Sequence, residues 1–294
     1  YSEANAIIHL KIMGSSTSST GDIQNLQGLE YFKNLILLNC KYNQLNSFSI
    51  GAFERLENLY CSYNNMTSIN LTNATSLISL DCSYNNLTSL NIDDCVSLMD
   101  LTARDNQLSS VNLNNNNNLV MVYLLNNNLT NFQISNKSFL RTLEIGNNDL
   151  TNLQITNAPT LYRVNAGGNN LTNVDLSSIA FQTELNNLPN DNILDIGLGN
   201  NPNLSVVNLK NGFVNSDISY FSGSLSNPQL FICVEDNDVF SSFSAAPTAV
   251  LNSYCSFNPG GNFNTITGSI TFDANANGCD VTDLPQPNIK IDIN

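Results

Sequence analysis

The sequence predicts a repeat solenoid of the α/β type that is mostly β: right-handed coils, a parallel sheet on the concave side, little helix, and a short β segment at the C-terminal end. Three observations carry this. A pattern of leucines recurs every 21 residues without slippage, from "LILLNCKYNQL" at Leu35 through "LENLYCSYNNM" at Leu56 and "LISLDCSYNNL" at Leu77 to "LYRVNAGGNNL" at Leu161. An asparagine holds the ninth position of every copy. Within each copy the apolar residues alternate, as in a short strand with one face buried.

The first half of each coil, L-x-x-L-x-L-x-x-N-x-L at a period of 20 to 29, is the leucine-rich-repeat signature. Leu38, Leu59, Leu80 and Leu101 point inward together with the residue two places later, so each coil adds one strand to the sheet. The second half, such as "TSINLTNATS", offers another inward pair (Ile69, Leu71) but is too short and too rich in Thr and Asn for a helix. The convex side is therefore expected to be extended or turn-like. The ninth-position residues Asn43, Asn64, Asn85, Asn106, Asn127, Asn148 and Asn169 suit a buried amide ladder that bridges adjacent turns. Because each coil covers its apolar face only against its neighbours, both ends need caps.

Those requirements divide the chain. Residues 1–34, with "AIIHLKI" as a short strand and "IQNLQGLEYFKNL" as a degenerate coil, form an N-terminal cap. Residues 35–257 form the solenoid, regular over 35–178 and irregular, ending in a C-terminal cap, over 179–257. Asn201 follows Asn169 by 32 positions instead of 21, so an 11-residue insertion within 180–192 must bulge from the stack. A Pro/Gly linker occupies 258–267, and 268–294 reads as two strands of an incomplete β-sandwich module. The opening at Tyr1, without Met or a signal-peptide pattern, suggests a processed or trimmed fragment.

Composition narrows the function classes. The formal charge is −14, from 24 acidic and 10 basic residues, and no Lys/Arg cluster could neutralise phosphates or anionic headgroups. Nucleic acid and direct membrane insertion are not expected as partners. The seven cysteines form no C-x-x-C pair. Cys40, Cys61 and Cys82 share a slot filled elsewhere by Ala103, Leu124, Ile145 and Ala166, two of these alanines being smaller than the usual core residue. A line of inward thiols about 4.8 Å apart suits packing better than tetrahedral zinc or a disulfide. Cys233 and Cys255 flank a hairpin-sized segment at the solenoid end and are expected to be bonded to each other in an extracellular setting. Cys95 and Cys279 are left unpaired.

Two constellations could bind. In "DANANGCDVTD", Asp273, Asn275, Asn277, Asp280 and Asp283 place oxygens around Gly278 much as a calcium loop does, although Leu284 stands where the final Glu belongs. The alternative is a polar Asn/Gly turn, so calcium is the one cofactor to consider. On the concave face, positions 3, 5, 7 and 8 of each coil are expected to point outward. That puts Tyr42, Tyr63 and Tyr84 in one row, Tyr60 and Tyr123 in another, and Asp81, Ser83 and Arg104 among them. Aromatics on a rigid sheet can stack on a protein or glycan ligand, or simply on one another.

Catalysis finds little to work with. His9, the sole histidine, is placed in the cap away from the sheet, which leaves no base for a nucleophile on the concave face. Asp81, Asp100 and Asp105 fall on neighbouring rungs and could imitate a glycosidase pair, but Arg104 beside them should keep them ionised, against the need for a general acid. No enzyme is expected.

The repeat consensus, "SYNNLTSLNI" and the opening segment "IQNLQGLEYFKNL" resemble internalin-like leucine-rich-repeat proteins, and more specifically the Asn-rich surface proteins of the Bacteroidetes. The tail from "ICVED" onward resembles the cap and junction that in such proteins precede a β-sandwich similar to SdrD B-type modules. The resemblance implies a secreted product of the type IX route, located at the cell surface and acting by non-catalytic recognition or adhesion. Its partner would be a protein or glycan on another cell. The alternative is a structural spacer or assembly subunit of a larger surface fibre, binding copies or other domains of itself.

Overall fold

The computed structural model describes residues 3–16, 21–49, 54–179, 193–212, 217–220, 230–238, 240–242, 250–253, 271–272 and 284–285. Chain contacts divide it into Tyr1–Ser256 and Phe257–Asn294. In the second unit, Thr271–Phe272 pairs antiparallel with Leu284–Pro285.

The first unit is a parallel β-solenoid. Its longer sheet, here called the concave side, has eleven strands among the described residues. In order these are His9–Lys11, Leu37–Asn39, Asn58–Tyr60, Ser79–Asp81, Asp100–Thr102, Met121–Tyr123, Thr142–Glu144, Arg163–Asn165, Ile193–Gly197, Asp217–Tyr220 and Phe240–Ser242. Equivalent positions of successive coils lie side by side: Leu59 pairs with Leu80, Leu80 with Leu101, and Leu101 with Val122. Arg163 pairs with Asp195, 32 positions on, so the sheet resumes in register despite the longer coil.

The convex side is extended, as expected, and goes further by hydrogen-bonding into sheets of its own. Six strands there run parallel from Asn131–Ser135 to Val250–Asn252, and Ser47–Ser49 pairs with Ser68–Asn70. The helical elements among the described residues are two 3-10 turns, Ala4–Ala6 and Leu29–Tyr31. With Thr, Asn and β-branched residues dominating the return limb, an extended path that pairs with the next coil satisfies its backbone more cheaply than a helix.

His9 needs a correction. It does not lie away from the sheet: His9–Lys11 is the first strand of the concave side, with His9 in register with Leu37. The segment "AIIHLKI" keeps the strand without the leucine spacing that makes the others recognisable.

The core is a set of vertical columns. Leu35, Leu56, Leu77, Leu98, Leu119, Leu140 and Leu161 form one; Leu45, Met66, Leu87, Leu108, Leu129, Leu150 and Leu171 form another; all are buried. Each such side chain contributes about 1.5–3 kcal/mol on burial. Cys40, Cys61 and Cys82 are free and fully buried in the inward slot after the second leucine. Burial pushes the Cys40 thiol up to about 12 and raises Cys61 and Cys82 as well, so the thiolate that reacts or binds metal is suppressed.

A further column on the convex limb runs Ala74, Cys95, Asn116, Lys137, Ala158, Ile179, all buried. Cys95 is free, and its thiol is pushed up to about 12 by burial and then by Asp94 and Asp93. Lys137 is the anomaly: it is 1% exposed, and its ammonium reaches only the Asn114 carbonyl at 3.4 Å and Asn117 Oδ1 at 3.2 Å. Burial lowers its pKa. Because the folded state then holds this proton less tightly than the unfolded state, the penalty is full below the lowered folded value and fades as pH rises toward the ordinary 10.5. Lys137→Met is expected to stabilise the protein at neutral pH by on the order of 1 kcal/mol. Urea unfolding at increasing pH should show this advantage shrinking; an advantage independent of pH would refute the linkage.

Candidate functional site

The coil brings its exposed chemistry to the concave strands and to the tight bend that follows them. The bend is set by position 8, which lies in the left-handed region in every regular coil: Tyr42 (φ 57°), Tyr63 (57°), Tyr84 (51°), Asp105 (54°), Asn126 (53°), Asn147 (52°) and Gly168 (67°), and Asn200 (57°) after the long coil. Asn, Asp and Gly adopt this conformation readily, whereas for tyrosine it costs about 1–2 kcal/mol. The tyrosines offset that cost by stacking. Tyr42 and Tyr63 rings lie 4.6 Å apart at 18°, and Tyr63 and Tyr84 rings 4.1 Å apart at 10°. Each such contact is worth about 0.5–1.5 kcal/mol. Arg104 closes the column, its guanidinium carbon 5.1 Å from the Tyr84 ring centre.

Two expectations change here. Arg104 is turned onto Tyr84, and no ion pair between it and Asp81, Asp100 or Asp105 is present among the described residues. Asp81 is held instead by Lys41 across two coils and by the Ser62 hydroxyl at 3.0 Å. Burial pushes the Asp100 carboxyl upward. Position 7 is also less exposed than the alternation suggests: Ser62 and Ser83, each preceding a tyrosine in the left-handed bend, are 1% and 2% exposed.

Tyr60 and Tyr123 occupy position 5 of their strands and are half-buried. The Tyr60 hydroxyl donates to Asn58 Oδ1 at 3.3 Å, and the Lys41 ammonium sits 5.2 Å from its ring centre. Tyr123 is pushed up by burial and by nearby Glu144.

Glu144 marks a second cluster, which the sequence did not single out. Its carboxylate is buried and accepts from Arg163 Nε at 2.6 Å and from Asn165 Nδ2 at 2.8 Å. Arg163 also faces Asp195 at 3.5 Å. Burial disfavours the charged Arg163, but Glu144 and Asp195 outweigh it and its pKa rises. Beside this cluster, glycines replace the side chains of position 7 at Gly146, Gly167 and Gly199, leaving a shallow depression of about 280 Å³ whose rim includes Asn147, Arg163, Asn165 and Asn200. The signal available in sequence was that glycine run, "GNN", "GGNN", "GLGNN". The Arg163–Asp195 contact depends on pairing across the long coil.

The concave face is thus an open, hydrogen-bonded surface whose charges are largely paired. No group of three or more His, Cys, Asp or Glu side chains suited to a metal occurs among the described residues. Asp273, Asn275, Asn277, Asp280 and Asp283 lie outside them, as do Cys255, Cys279 and the insertion at 180–192. Cys233 is buried and disulfide-bonded. No helix among the described residues is long and apolar enough to cross a membrane.

No protein-family model and no curated protein sequence matches this chain. Solved structures do. The leucine-rich repeat domain of APL1B is similar with a TM-score of 0.56 at 18% identity, covering 76% of this chain and 68% of that one. The functional domain of InlJ from Listeria monocytogenes, described as including a cysteine ladder, gives 0.42 at 20% identity, covering 76% and 61%. The internalin inlF from Listeria monocytogenes gives 0.39 at 19% identity, covering 86% and 88%. At these identities the likeness is one of fold, and the first of them makes it the leucine-rich-repeat fold.

Proposed function

We propose that this chain is a non-catalytic recognition module that binds a protein or glycan through its concave face in an extracellular setting. The observation that carries this reading is the make-up of that face: stacked tyrosines and paired charges, Lys41–Asp81 and Arg163–Glu144, fixed on a rigid parallel sheet. Side chains already held in one geometry lose little freedom on binding, which favours recognition of an extended surface.

The test replaces Tyr63 and Tyr84 together by Asn, the residue that the same bend carries at Asn126, Asn147 and Asn200, so that the backbone stays comfortable. Wild type and variant are applied to arrays of glycans and cell-surface proteins. A ligand of the wild type should bind the variant at least about tenfold more weakly, equivalent to about 1.4 kcal/mol. Equal binding by a variant with an unchanged melting curve would rule the tyrosine column out as the contact surface. The expected Cys233–Cys255 bond and the calcium loop stand beside this proposal, tested by non-reducing peptide mapping and by metal content.

A further inference from the structure

Apart from the concave face, the residue just before each strand builds a stripe down one side of the solenoid. In five successive coils this position holds Glu57, Ile78, Met99, Val120 and Arg141. The residues that follow them, Asn58, Ser79, Asp100, Met121 and Thr142, are strand partners in unbroken register, so the stripe is straight. Four steps of about 4.8 Å separate Glu57 from Arg141 by roughly 19 Å. Along the stripe lies a groove of about 710 Å³ lined by Ile78, Met99, Val120, Phe139 and Arg141 and reaching Thr160, with Glu57 beyond its other end. Met99 is 42% exposed and Phe139 57%, which leaves apolar surface along the groove for a partner to cover. The side chains of Glu57 and Arg141 make no hydrogen bond or ion pair with any described residue, whereas Lys41, Arg104 and Arg163 are all engaged.

The order acidic, apolar, apolar, apolar, basic is its own complement when reversed. We propose that two copies of this chain dock through the stripe, antiparallel, about a two-fold axis that passes by Met99. The axis sets Glu57 of each copy against Arg141 of the other, Ile78 against Val120, and Met99 against Met99. In the adjoining row, Arg55, Ser76, Ser97, Asn118 and Phe139, the same rotation sets Arg55 over the Phe139 ring of the second copy, a cation–π arrangement. An isologous contact requires this reciprocity, in which residue i meets j and j meets i. A parallel docking would instead place like charges together. A closed two-fold pair stops at two copies and leaves both concave faces out of the contact.

The experiment is sedimentation velocity of the full chain from roughly 1 to 100 µM, the range expected of a small interface. Wild type should pass from monomer to dimer. Glu57→Arg and Arg141→Glu should each weaken the dimer at least about tenfold, the 1.4 kcal/mol expected of the lost pairs. An equimolar mixture of the two variants should dimerise again, because one carries two cations and the other two carboxylates along the stripe. Recovery in the mixture also shows that both variants fold. A wild type that stays monomeric, one that forms larger polymers, a dimer indifferent to both substitutions, or a mixture that fails to recover would each overturn the proposal. None of these outcomes bears on ligand binding by the concave face.

Discussion

Replacing Asn85 by leucine is expected to lower stability by about 3–5 kcal/mol, measured by urea unfolding. The Asn85 amide nitrogen donates to the carbonyls of Cys61 (3.2 Å), Cys82 (3.0 Å) and Ser83 (3.1 Å), while its oxygen accepts from the Met66 N–H at 3.0 Å. The carbonyls keep other partners: Cys61 accepts from Asn64, Cys82 from Asn106 and Ser83 from the Tyr63 N–H. The Met66 N–H keeps none, and an orphaned buried donor costs about 1–3 kcal/mol by itself. The two N–H groups of the amide, shared among the three carbonyls, add the rest at about 0.5–1.5 kcal/mol each. Hydrogen exchange should locate the damage at Met66; a loss below about 1 kcal/mol would mean that the ladder is dispensable.

Leu101→Ala should cost about 2–5 kcal/mol, since its side chain is fully buried between Leu80 and Val122 of the neighbouring strands. Cys82→Ala, two residues beyond Leu80 and equally buried, should cost only about 1 kcal/mol, the value of one small apolar group. The two variants compared in the same urea titration test whether the thiol column is packing alone. A cysteine loss as large as the leucine loss would show that the column does more than fill space. Because coils in a solenoid lean on nearest neighbours, both losses should appear first as local opening around the altered coil.

The columns of the core and the Asn ladder were legible in the sequence because a strict 21-residue period assigns each residue a direction without knowledge of the fold. Leu80, Cys82, Leu87 and Asn85 behave as the period requires. What resisted reading depends on neighbours that the period does not encode. Ser83 is only 2% exposed although the alternation points it outward, beside Tyr84 in the left-handed bend. Arg104 turns from the carboxylates to Tyr84 because the left-handed bend aligns that ring beneath it. His9 joins the sheet through backbone pairing that survives without the leucine spacing. Glu144, Arg163 and Asp195 meet only because the strand after the long coil returns to register. Lys137 is buried in a column with Ala74, Cys95, Asn116, Ala158 and Ile179, and nothing in its own segment announces this.

The Asn ladder also has a consequence for heredity. Asn85 meets the coil before it through Cys61 and Met66, and Asn106 meets the next joint through Cys82 and Leu87, with the same atoms in the same roles. Every joint between regular coils is therefore tied by the same Asn hydrogen bonds. Unequal crossing-over that gains or loses a whole coil keeps these hydrogen bonds while bringing new side chains together, so length can change in steps of about 4.8 Å without breaking the ladder. A change of any other size must still return the next strand to register, as Asp195 does opposite Arg163 after the coil between Asn169 and Asn201.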